Sequence, residues 1–197
     1  ARLGVAVKGA RVLADALVIL HLLKKTDGRY ELNEESAMFL DRRSPRYLGD
    51  TLRFLLSAPV QDAYARFSEA VRRGGTAADG AGALEPEHDV WEEFAQGMAG
   101  LMHTSIQRVV EVMMPAGRVL DVAAGHGRFG IALLEAGAAR EVTALDWANV
   151  LEYAGRNAEA AGVADRWRAR PGNALTDDLG GPYDTALLPN FLHEQRG

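Results

Sequence analysis

The stretch Val119–Gly130, VLDVAAGHGRFG, decides how this chain folds. An apolar run is followed by glycines in the spacing Gly125-x-Gly127-x-x-Gly130 and then by a helical pattern, RFGIALLEAG. A buried strand that passes through a glycine turn into a helix is typical of the first unit of a doubly wound α/β sheet. We therefore predict a strand, RVLDVA, with a ligand site where that strand meets the glycine turn.

The residues that follow repeat this alternation of strand and helix. We predict strands for EVTALD, RWRAR and YDTALLP, and a second helix for WANVLEYAGRNAEAAG. Strands that alternate with helices over short connections form a parallel sheet with helices on its faces. The fold class predicted for residues 115–197 is therefore α/β, a Rossmann-like doubly wound parallel sheet, with ligands outside the carboxyl ends of its strands.

Residues 1–114 have a different, mainly helical pattern. Apolar residues recur at helical spacing from Ala10 to Leu23, which predicts a buried helix. The turn pair Asp27-Gly28 and the alternating RYEL predict a small hairpin, and later helical segments lead to a last helix, Asp89–Met114. We predict a winged-helix-like domain over residues 1–114, followed by the Rossmann-like domain over 115–197.

The composition excludes several classes of function. The 197 residues include no cysteine, which excludes disulfide frameworks, thiolate chemistry and cysteine-based zinc sites, and makes a reducing cytoplasm the default location. No apolar run is long enough to cross a bilayer, so we predict no membrane partner. We also predict no metal site, because His21, His88 and His103 lack the spacing of metal ligands.

The charge distribution argues against nucleic acid as a partner. The net charge is −5, and the first 53 residues, with 10 Lys and Arg against 7 Asp and Glu, carry only +3. Arg42, Arg43 and Arg46 on a winged helix admit a ligand-sensing DNA-binding regulator as an alternative. Nucleic-acid binding draws on clustered cationic charge, however, which this chain lacks.

Asp121 distinguishes between two kinds of nucleotide-like ligand. It precedes Gly125 by four residues, so its carboxylate is expected at the same strand end as the glycine turn. A pyrophosphate there would meet a like charge in a partly desolvated cleft, whereas a cationic ligand would gain about 1.5–3 kcal/mol from a charge-assisted hydrogen bond. The alternative role for Asp121 is to cap the turn that follows its strand.

Asp146 indicates that the ligand contains a nucleoside. It ends the strand EVTALD, 21 residues after Gly125, where an acidic residue accepts hydrogen bonds from ribose hydroxyls. S-adenosylmethionine offers the same ribose together with an ammonium and a sulfonium, and it has no phosphate. The two acids together therefore favour S-adenosylmethionine over a dinucleotide.

The sequence resembles the class I S-adenosylmethionine-dependent methyltransferases, specifically the small-molecule O-methyltransferases with a winged-helix-like N-terminal part. VLDVAAGHGRFG is similar to their first motif, ALDW to their second-strand acid, PGNAL to the turn after the third strand, and YDTALLPNFLHE to the fourth strand and its catalytic turn. LLKKTDGRYEL and SPRYLGD are similar to the family's wing and the segment after it. The resemblance implies a homodimer, in which the N-terminal part mediates dimerisation and covers the substrate.

The resemblance also implies a cofactor site for S-adenosylmethionine, with S-adenosylhomocysteine as the product. Two departures from the family pattern are Ala123, where a glycine is common, and Asn173, where aspartate is common. We expect the first to matter little, because alanine is the smallest replacement. Trp147 lies against the adenine or packs in the core at a helix start. The residues implied for this site are Asp121, Ala123, Gly125, Gly127, Asp146, Trp147, Gly172, Asn173, Ala174 and Asn190.

By position in the family motif, His193 is the base that removes the proton from the acceptor hydroxyl. An unperturbed histidine has a pKa near 6.5, which suits a base at neutral pH. The alternative is a solvated loop histidine. His126, between the two glycines, is interpreted as a loop residue whose backbone contacts the ligand.

A stripe of apolar residues on the helix before the sheet is the candidate acceptor pocket. Phe94, Met98 and Met102 recur at helical spacing, and adaptable methionine side chains suit an apolar acceptor such as an aromatic or polyketide-like hydroxyl compound. Such a stripe is more often core packing, which is the alternative that we favour. Asn190, after the fourth strand, faces the acceptor or satisfies a turn.

Some relatives bind S-adenosylmethionine and catalyse decarboxylation or hydroxylation instead, which keeps a second enzymatic alternative open. The family's sheet also continues beyond its fourth strand, whereas this sequence ends at Gly197. A bare parallel edge strand would expose unpaired backbone groups. We therefore expect further sequence, or another chain that covers the edge.

Overall fold

The computed structural model describes residues 4–75, 77 and 90–192. Contacts divide the chain into two compact units, Ala1–Gly49 and Asp50–Gly197. The boundary predicted at residue 114 is a change in secondary structure, from helices to alternating strands and helices. The helices from Asp50 onwards therefore share a compact unit with the sheet.

The first unit consists of a helix, a hairpin and a second helix. Its elements are α1 (Val7–Ile19), β1 (Leu23–Thr26), β2 (Arg29–Leu32) and α2 (Glu34–Leu40). The two strands pair antiparallel around Asp27 and Gly28, whose φ values of 51° and 74° fit the left-handed turn that the pair Asp-Gly favours. The predicted hairpin is thus confirmed.

The prediction of a buried helix from Ala10 to Leu23 is wrong in two respects. The helix ends at Ile19, because His21 adopts a φ of 58° that no helix continues, and Leu23 begins β1 instead. No residue of α1 is buried, and Leu13 and Ile19 are 63% and 77% exposed. The apolar face that the sequence predicted is real, but the described part of its unit provides no cover for it.

The second unit begins with helices that lead to the sheet. They are α3 (Gly49–Leu55), α4 (Ala58–Ala65), α5 (Phe67–Arg73), α6 (Val90–Ala99) and α7 (His103–Val112). The single helix predicted over Asp89–Met114 is thus two helices, broken around Gly100, a residue that disfavours helix interiors. α3 packs closely on α6, since a Cβ at Gly97 would lie only 2.7 Å from the Cβ of Phe54.

The rest of the second unit is the α/β layer. It contains β3 (Gly117–Val122), α8 (Arg128–Glu135), β4 (Ala139–Asp146), α9 (Ala148–Ala160), β5 (Trp167–Pro171) and β6 (Thr185–Leu187). The strands form one parallel sheet in the order β5-β4-β3-β6. This order reverses direction beside β3, which makes the carboxyl end of β3 the expected ligand site of a doubly wound sheet.

The core lies around the two central strands and the helices that cover them. Val119, Val142, Ala144, Leu133 and Leu134 are buried, as expected for a parallel sheet covered by helices. α7 adds partly buried apolar side chains to the same cluster. The predicted Rossmann-like α/β fold is confirmed, and this rigid layer fixes the positions of the loops after β3, β4, β5 and β6.

Candidate functional site

The loop from β3 to α8 is a tight turn at the carboxyl end of the sheet. Ala123, Gly125 and Gly127 all have positive φ values, of 51°, 55° and 70°. A Cβ at Gly127 would lie 3.0 Å from the Cβ of Ala154 on α9, whereas a Cβ at Gly125 would meet only a backbone oxygen 3.9 Å away. The loop is therefore packed against α9 at Gly127 and open at Gly125, where a ligand has room to approach the backbone.

Ala123 is not the innocuous replacement for glycine that its size suggested. Its φ of 51° lies in the left-handed region, where any L-residue with a Cβ is disfavoured by about 1–2 kcal/mol. Because the Ala123 side chain is exposed, its methyl group has space. Alanine therefore differs from glycine here in the backbone conformation that it tolerates and not in its size. The contacts of the surrounding loop offset the free-energy cost of this backbone conformation.

Asp121 lies near the end of β3 and has no exposed surface. One carboxylate oxygen, Oδ2, accepts a hydrogen bond from the Gly130 amide of α8 at 3.2 Å, while Oδ1 has no hydrogen-bond partner among the described residues. Burial raises the pKa of Asp121 to about 7, the Gly130 amide opposes this shift, and the charge of Asp146 adds to it. A buried carboxyl with an unpartnered oxygen is a costly group that a positive charge would stabilise.

Asp146 closes the other side of the glycine turn. Its Oδ2 accepts from the Gly125 amide at 2.8 Å and its Oδ1 accepts from the Trp147 amide at 2.7 Å. Burial raises the pKa of Asp146, and these two amides oppose the shift. Each carboxylate oxygen has a second lone pair, so Asp146 can fix the loop and still accept hydrogen bonds from a diol.

The two acids lie at neighbouring strand ends and act on each other. β3 and β4 are paired in register from Arg118 to Val122, which brings Asp121 and Asp146 to the same edge of the sheet. Their mutual repulsion disfavours a further negative charge in this place and favours a positive one. The electrostatics therefore match the sign that the sequence predicted for the ligand.

The turn after β5 approaches the same edge. The Gly172 amide donates to the Asp146 carbonyl oxygen at 3.1 Å, which ties this turn to the end of β4. The Asn173 side-chain oxygen accepts from the Leu175 amide at 2.9 Å, and Asp177 accepts from the Asn173 amide at 2.8 Å. The Asn173 side chain thus stabilises its own turn, and Ala174 beside it is partly buried. Asp177 also stabilises this turn, which the sequence motif did not reveal.

Trp147 begins the connection from β4 to α9. It is the N-cap residue of α9 and is partly buried. Its backbone amide donates a hydrogen bond to the Asp146 carboxylate, and this bond fixes the position of the Trp147 backbone. The structure thus places the backbone of Trp147 at the carboxyl end of β4, and the position of its indole against the adenine or in the core stays a prediction.

His126 has a larger role in the loop than the sequence indicated. The ring is buried, stacks on Phe129 at 5.9 Å between centroids, and accepts a hydrogen bond at Nδ1 from the Arg128 amide at 3.1 Å. Burial, and secondarily the charge of Arg128, lowers the pKa of His126 to about 4, so the imidazole is neutral at pH 7. The sequence signal for this role was the position of His126 two residues before the first residue of α8, whose N-cap residue, Gly127, has no side chain.

The candidate acceptor residues separate into two places. The Asn190 side-chain nitrogen lies 3.5 Å from the Met102 sulfur, and Asn190, three residues after the end of β6, has a φ of 55°. Phe94 instead packs edge-to-face against Phe54 and Trp91, and Met98 is partly buried between these two groups along the chain. The first residue of the stripe, Phe94, therefore packs against other helical residues, and among the three residues of the stripe only Met102 contacts the segment after β6.

A separate cavity of about 430 Å³ lies between α3 and the start of α6. It is bordered by both acidic and basic side chains and by one aromatic ring: Asp50, Arg53, Phe54, Ser57, Glu92, Glu93 and Gln96. Glu92 is paired with Arg156 of α9 at 2.7 Å. This cavity contains none of the predicted site residues.

His193, the predicted base, lies outside the described residues, so its role stays a prediction. Within residues 4–75, 77 and 90–192, no three His, Asp or Glu side chains come together as metal ligands. In the same described part of the chain, no helix is long and apolar enough to cross a membrane.

Comparison with known proteins relates this chain to solved structures. No model of a protein family matches the sequence, and no curated protein matches it. A protein from Nostoc punctiforme assigned as an O-methyltransferase superposes with a TM-score of 0.84 and 42% identity over 96% of this chain. Mitomycin 7-O-methyltransferase has a TM-score of 0.76 at 21% identity over 98% of the chain.

Human N-acetylserotonin methyltransferase, solved in complex with S-adenosylmethionine, has a TM-score of 0.71 at 19% identity over 87% of the chain. The last two likenesses, at low identity, concern the fold. This chain spans 58%, 59% and 53% of the three proteins, respectively. The similarity to the Nostoc protein extends over both compact units.

Proposed function

We propose that this chain is an O-methyltransferase of the class I fold, which binds S-adenosylmethionine and transfers its methyl group to a hydroxyl of a small-molecule acceptor. In this reaction the acceptor oxygen forms a bond to the methyl carbon while the bond from that carbon to sulfur breaks. The acceptor proton goes to a base, and S-adenosylhomocysteine is released. The protein's main task is to align oxygen, carbon and sulfur.

The observation that carries this proposal is the pair of acids beneath the glycine loop. Asp121 is fully buried with an unpartnered Oδ1, and Asp146 is beside it at the next strand end. A ligand with an ammonium and a sulfonium relieves their repulsion, whereas a pyrophosphate would increase it. Because Asp121 has no exposed surface, it attracts the ammonium by its charge and not through a direct hydrogen bond.

The remaining cofactor contacts follow from the positions of the loops. Asp146 accepts from the ribose hydroxyls with its free lone pairs, and the open backbone at Gly125 borders the methionine part. Trp147 and the turn Gly172–Ala174 lie toward the adenine, with the Asn173 side-chain amide as a donor. These roles are supported by the hydrogen bonds that hold the three loops at one edge.

The acceptor is proposed to bind beside the contact between Met102 and Asn190. Their contact joins the break between α6 and α7 to the end of β6, beside the cofactor edge of the sheet. An apolar sulfur next to an amide suits an aromatic or polyketide-like compound that carries a hydroxyl. His193 follows Asn190 by three residues in the sequence and is proposed as the base.

Calorimetry with S-adenosylmethionine, S-adenosylhomocysteine and NAD in parallel tests the cofactor. We expect the first two to bind and NAD not to bind; binding of NAD, or no binding of S-adenosylmethionine, contradicts the proposal. Asp121→Asn keeps an oxygen for the Gly130 amide but removes the charge, and should weaken S-adenosylmethionine. Glu141→Gln, toward the amino end of β4, removes the same charge far from the loop and is the matched control.

Incubation with S-adenosylmethionine and a panel of aromatic and polyketide hydroxyl compounds tests the reaction. Acceptor-dependent formation of S-adenosylhomocysteine together with a methylated product supports methyl transfer. A product that has lost carbon dioxide or gained a hydroxyl, without S-adenosylhomocysteine, would instead identify the non-methylating alternative.

We also propose a homodimer in which the apolar face of α1 is covered by a second copy. Leu13 and Ile19 of α1 and Leu20 directly after it are all more than 60% exposed, which is an unusual density of exposed apolar residues for one segment. Analytical ultracentrifugation should find a dimer for the parent and a monomer for Leu13→Glu. Lys8→Glu, a charge change on the same helix at an already polar position, should leave the dimer intact.

A further inference from the structure

Two side chains to which we assign no contact with the cofactor, His126 and Asn157, hold the glycine loop against α8 and α9. His126 lies between Gly125 and Gly127, yet its ring is turned into the protein, 5% exposed and stacked on Phe129. Its carbonyl oxygen accepts a hydrogen bond from the Asn157 side-chain nitrogen of α9 at 2.9 Å. The loop is therefore anchored to α8 through the ring and to α9 through the carbonyl.

The imidazole substitutes for a missing helix cap. α8 begins after Gly127, which has no side chain to accept a hydrogen bond from the first amides of the helix. His126 Nδ1 accepts from the Arg128 amide at 3.1 Å, the pattern in which a side chain bonds the backbone two residues on. Nδ1 must be unprotonated to accept this bond, which assigns the proton of the neutral ring to Nε2.

Asn157 supports the same loop from the side. It lies on the face of α9 that also carries Ala154, three residues earlier, and Ala154 is the residue that a Cβ at Gly127 would touch. The close approach at Gly127 brings α9 near enough for Asn157 to reach the His126 carbonyl. The close packing at Gly127 and the hydrogen bond to the His126 carbonyl thus hold this part of the loop against α9.

We propose that His126 and Asn157 are positioning residues that hold the glycine loop in its ligand-binding conformation before the cofactor arrives. This inference rests on the proposed function for the identity of the ligand. Gly125 and Gly127 give this loop many alternative conformations, and Ala123 has a disfavoured positive φ. Without these anchors, part of the binding energy would therefore be spent on ordering the loop.

Paired substitutions separate the two contributions of His126. His126→Phe keeps a ring on Phe129 and removes the acceptor, while His126→Asn keeps an acceptor two residues before Arg128 and removes the ring. Asn157→Asp keeps the shape of the side chain and removes the donor to the His126 carbonyl. Glu159→Gln is the control, because this residue is on the same helix and its side chain is exposed.

The affinity for S-adenosylhomocysteine and the hydrogen exchange of the amides from Ala124 to Arg128 are measured for each variant. Loss of one hydrogen bond of about 1–1.5 kcal/mol corresponds to about five- to tenfold weaker binding. We expect this loss in His126→Phe and Asn157→Asp, with faster exchange of the loop amides, and recovery to within about threefold in His126→Asn. Glu159→Gln should match the parent in both measurements.

Affinities within twofold of the parent in both His126→Phe and Asn157→Asp would overturn the inference. If the parent itself does not bind S-adenosylhomocysteine, the proposed function fails, and loop exchange in the empty protein still decides the inference. Unchanged protection of the loop amides in the folded variants overturns it, and faster exchange confined to the loop supports it. If His126→Phe does not fold, Asn157→Asp and His126→Asn provide the same comparison.

Discussion

The side-chain nitrogen of Asn190 lies 3.5 Å from the sulfur of Met102, although 88 residues separate them. This contact joins the end of β6 to the break between α6 and α7. It is held by a residue with a φ of 55°, a conformation that asparagine tolerates better than most residues. The acceptor proposal depends on this junction.

Replacing Asn190 should therefore affect the acceptor more than the cofactor. We expect Asn190→Ala to raise KM for the acceptor about tenfold, since the amide is lost and alanine disfavours the left-handed backbone. Steady-state kinetics at saturating S-adenosylmethionine measure this effect. Asn190→Gly is the control that separates the two causes, because glycine tolerates the left-handed backbone but also lacks the amide. An unchanged KM in both variants would exclude Asn190 from the acceptor site.

The pKa of Asp121 predicts how the stability of the empty protein depends on pH. Burial raises this pKa from an ordinary 3.8 to about 7, so the folded protein binds a proton more tightly than the unfolded chain does. The free energy of unfolding should consequently fall as pH rises from about 4 to 7 and level off above 7. Asp121→Asn should lack this decline, as measured by urea unfolding at a series of pH values, while Glu141→Gln should retain it.

Cofactor affinity should depend on pH with the opposite sign. A cationic ligand favours the ionised form of Asp121, so binding of S-adenosylmethionine should strengthen as pH rises from 5.5 to 7. Calorimetry of the parent and of Asp121→Asn measures the two slopes. An equal slope in both proteins would show that another group is responsible.

His193→Gln should lower the turnover number and leave cofactor affinity nearly unchanged. Glutamine retains hydrogen bonding but cannot accept the hydroxyl proton, and general-base catalysis is typically worth about 10²–10⁴-fold. The required measurements are single-turnover rates and the Kd for S-adenosylhomocysteine. His103→Gln on α7, a histidine to which we assign no chemistry, is the control; turnover near the parent value in His193→Gln would exclude the base.

Ala123→Gly should stabilise the protein by about 0.5–1 kcal/mol. Glycine removes the left-handed strain at φ 51°, which exceeds the entropy that the more flexible residue loses on folding. The same change at Ala136, where φ is −72°, should instead destabilise by a similar amount. Chemical denaturation of both variants tests the pair, and a loss of stability in Ala123→Gly would contradict the strain assigned to this loop.

Several features were predictable because their signals are local. Largely apolar runs such as EVTALD and the glycine spacing of the loop indicate strands, turn and helix without reference to the rest of the chain, and these secondary-structure predictions were confirmed. α1 was misjudged because periodicity reports an apolar face but not what covers it. The break at Gly100 was missed because a single glycine leaves an otherwise helical pattern intact.

The sequence by itself determined the α/β class, and it predicted the place of the ligand site and the sign of the charge that this site favours. These depend on residue type and on positions within a few residues along the chain. Only the tertiary structure decided that Asp121 has an oxygen without a partner, that His126 faces inward, and that Asn190 meets Met102. Such facts depend on contacts between distant segments, whose geometry is set by how helices pack on the sheet and not by any local pattern.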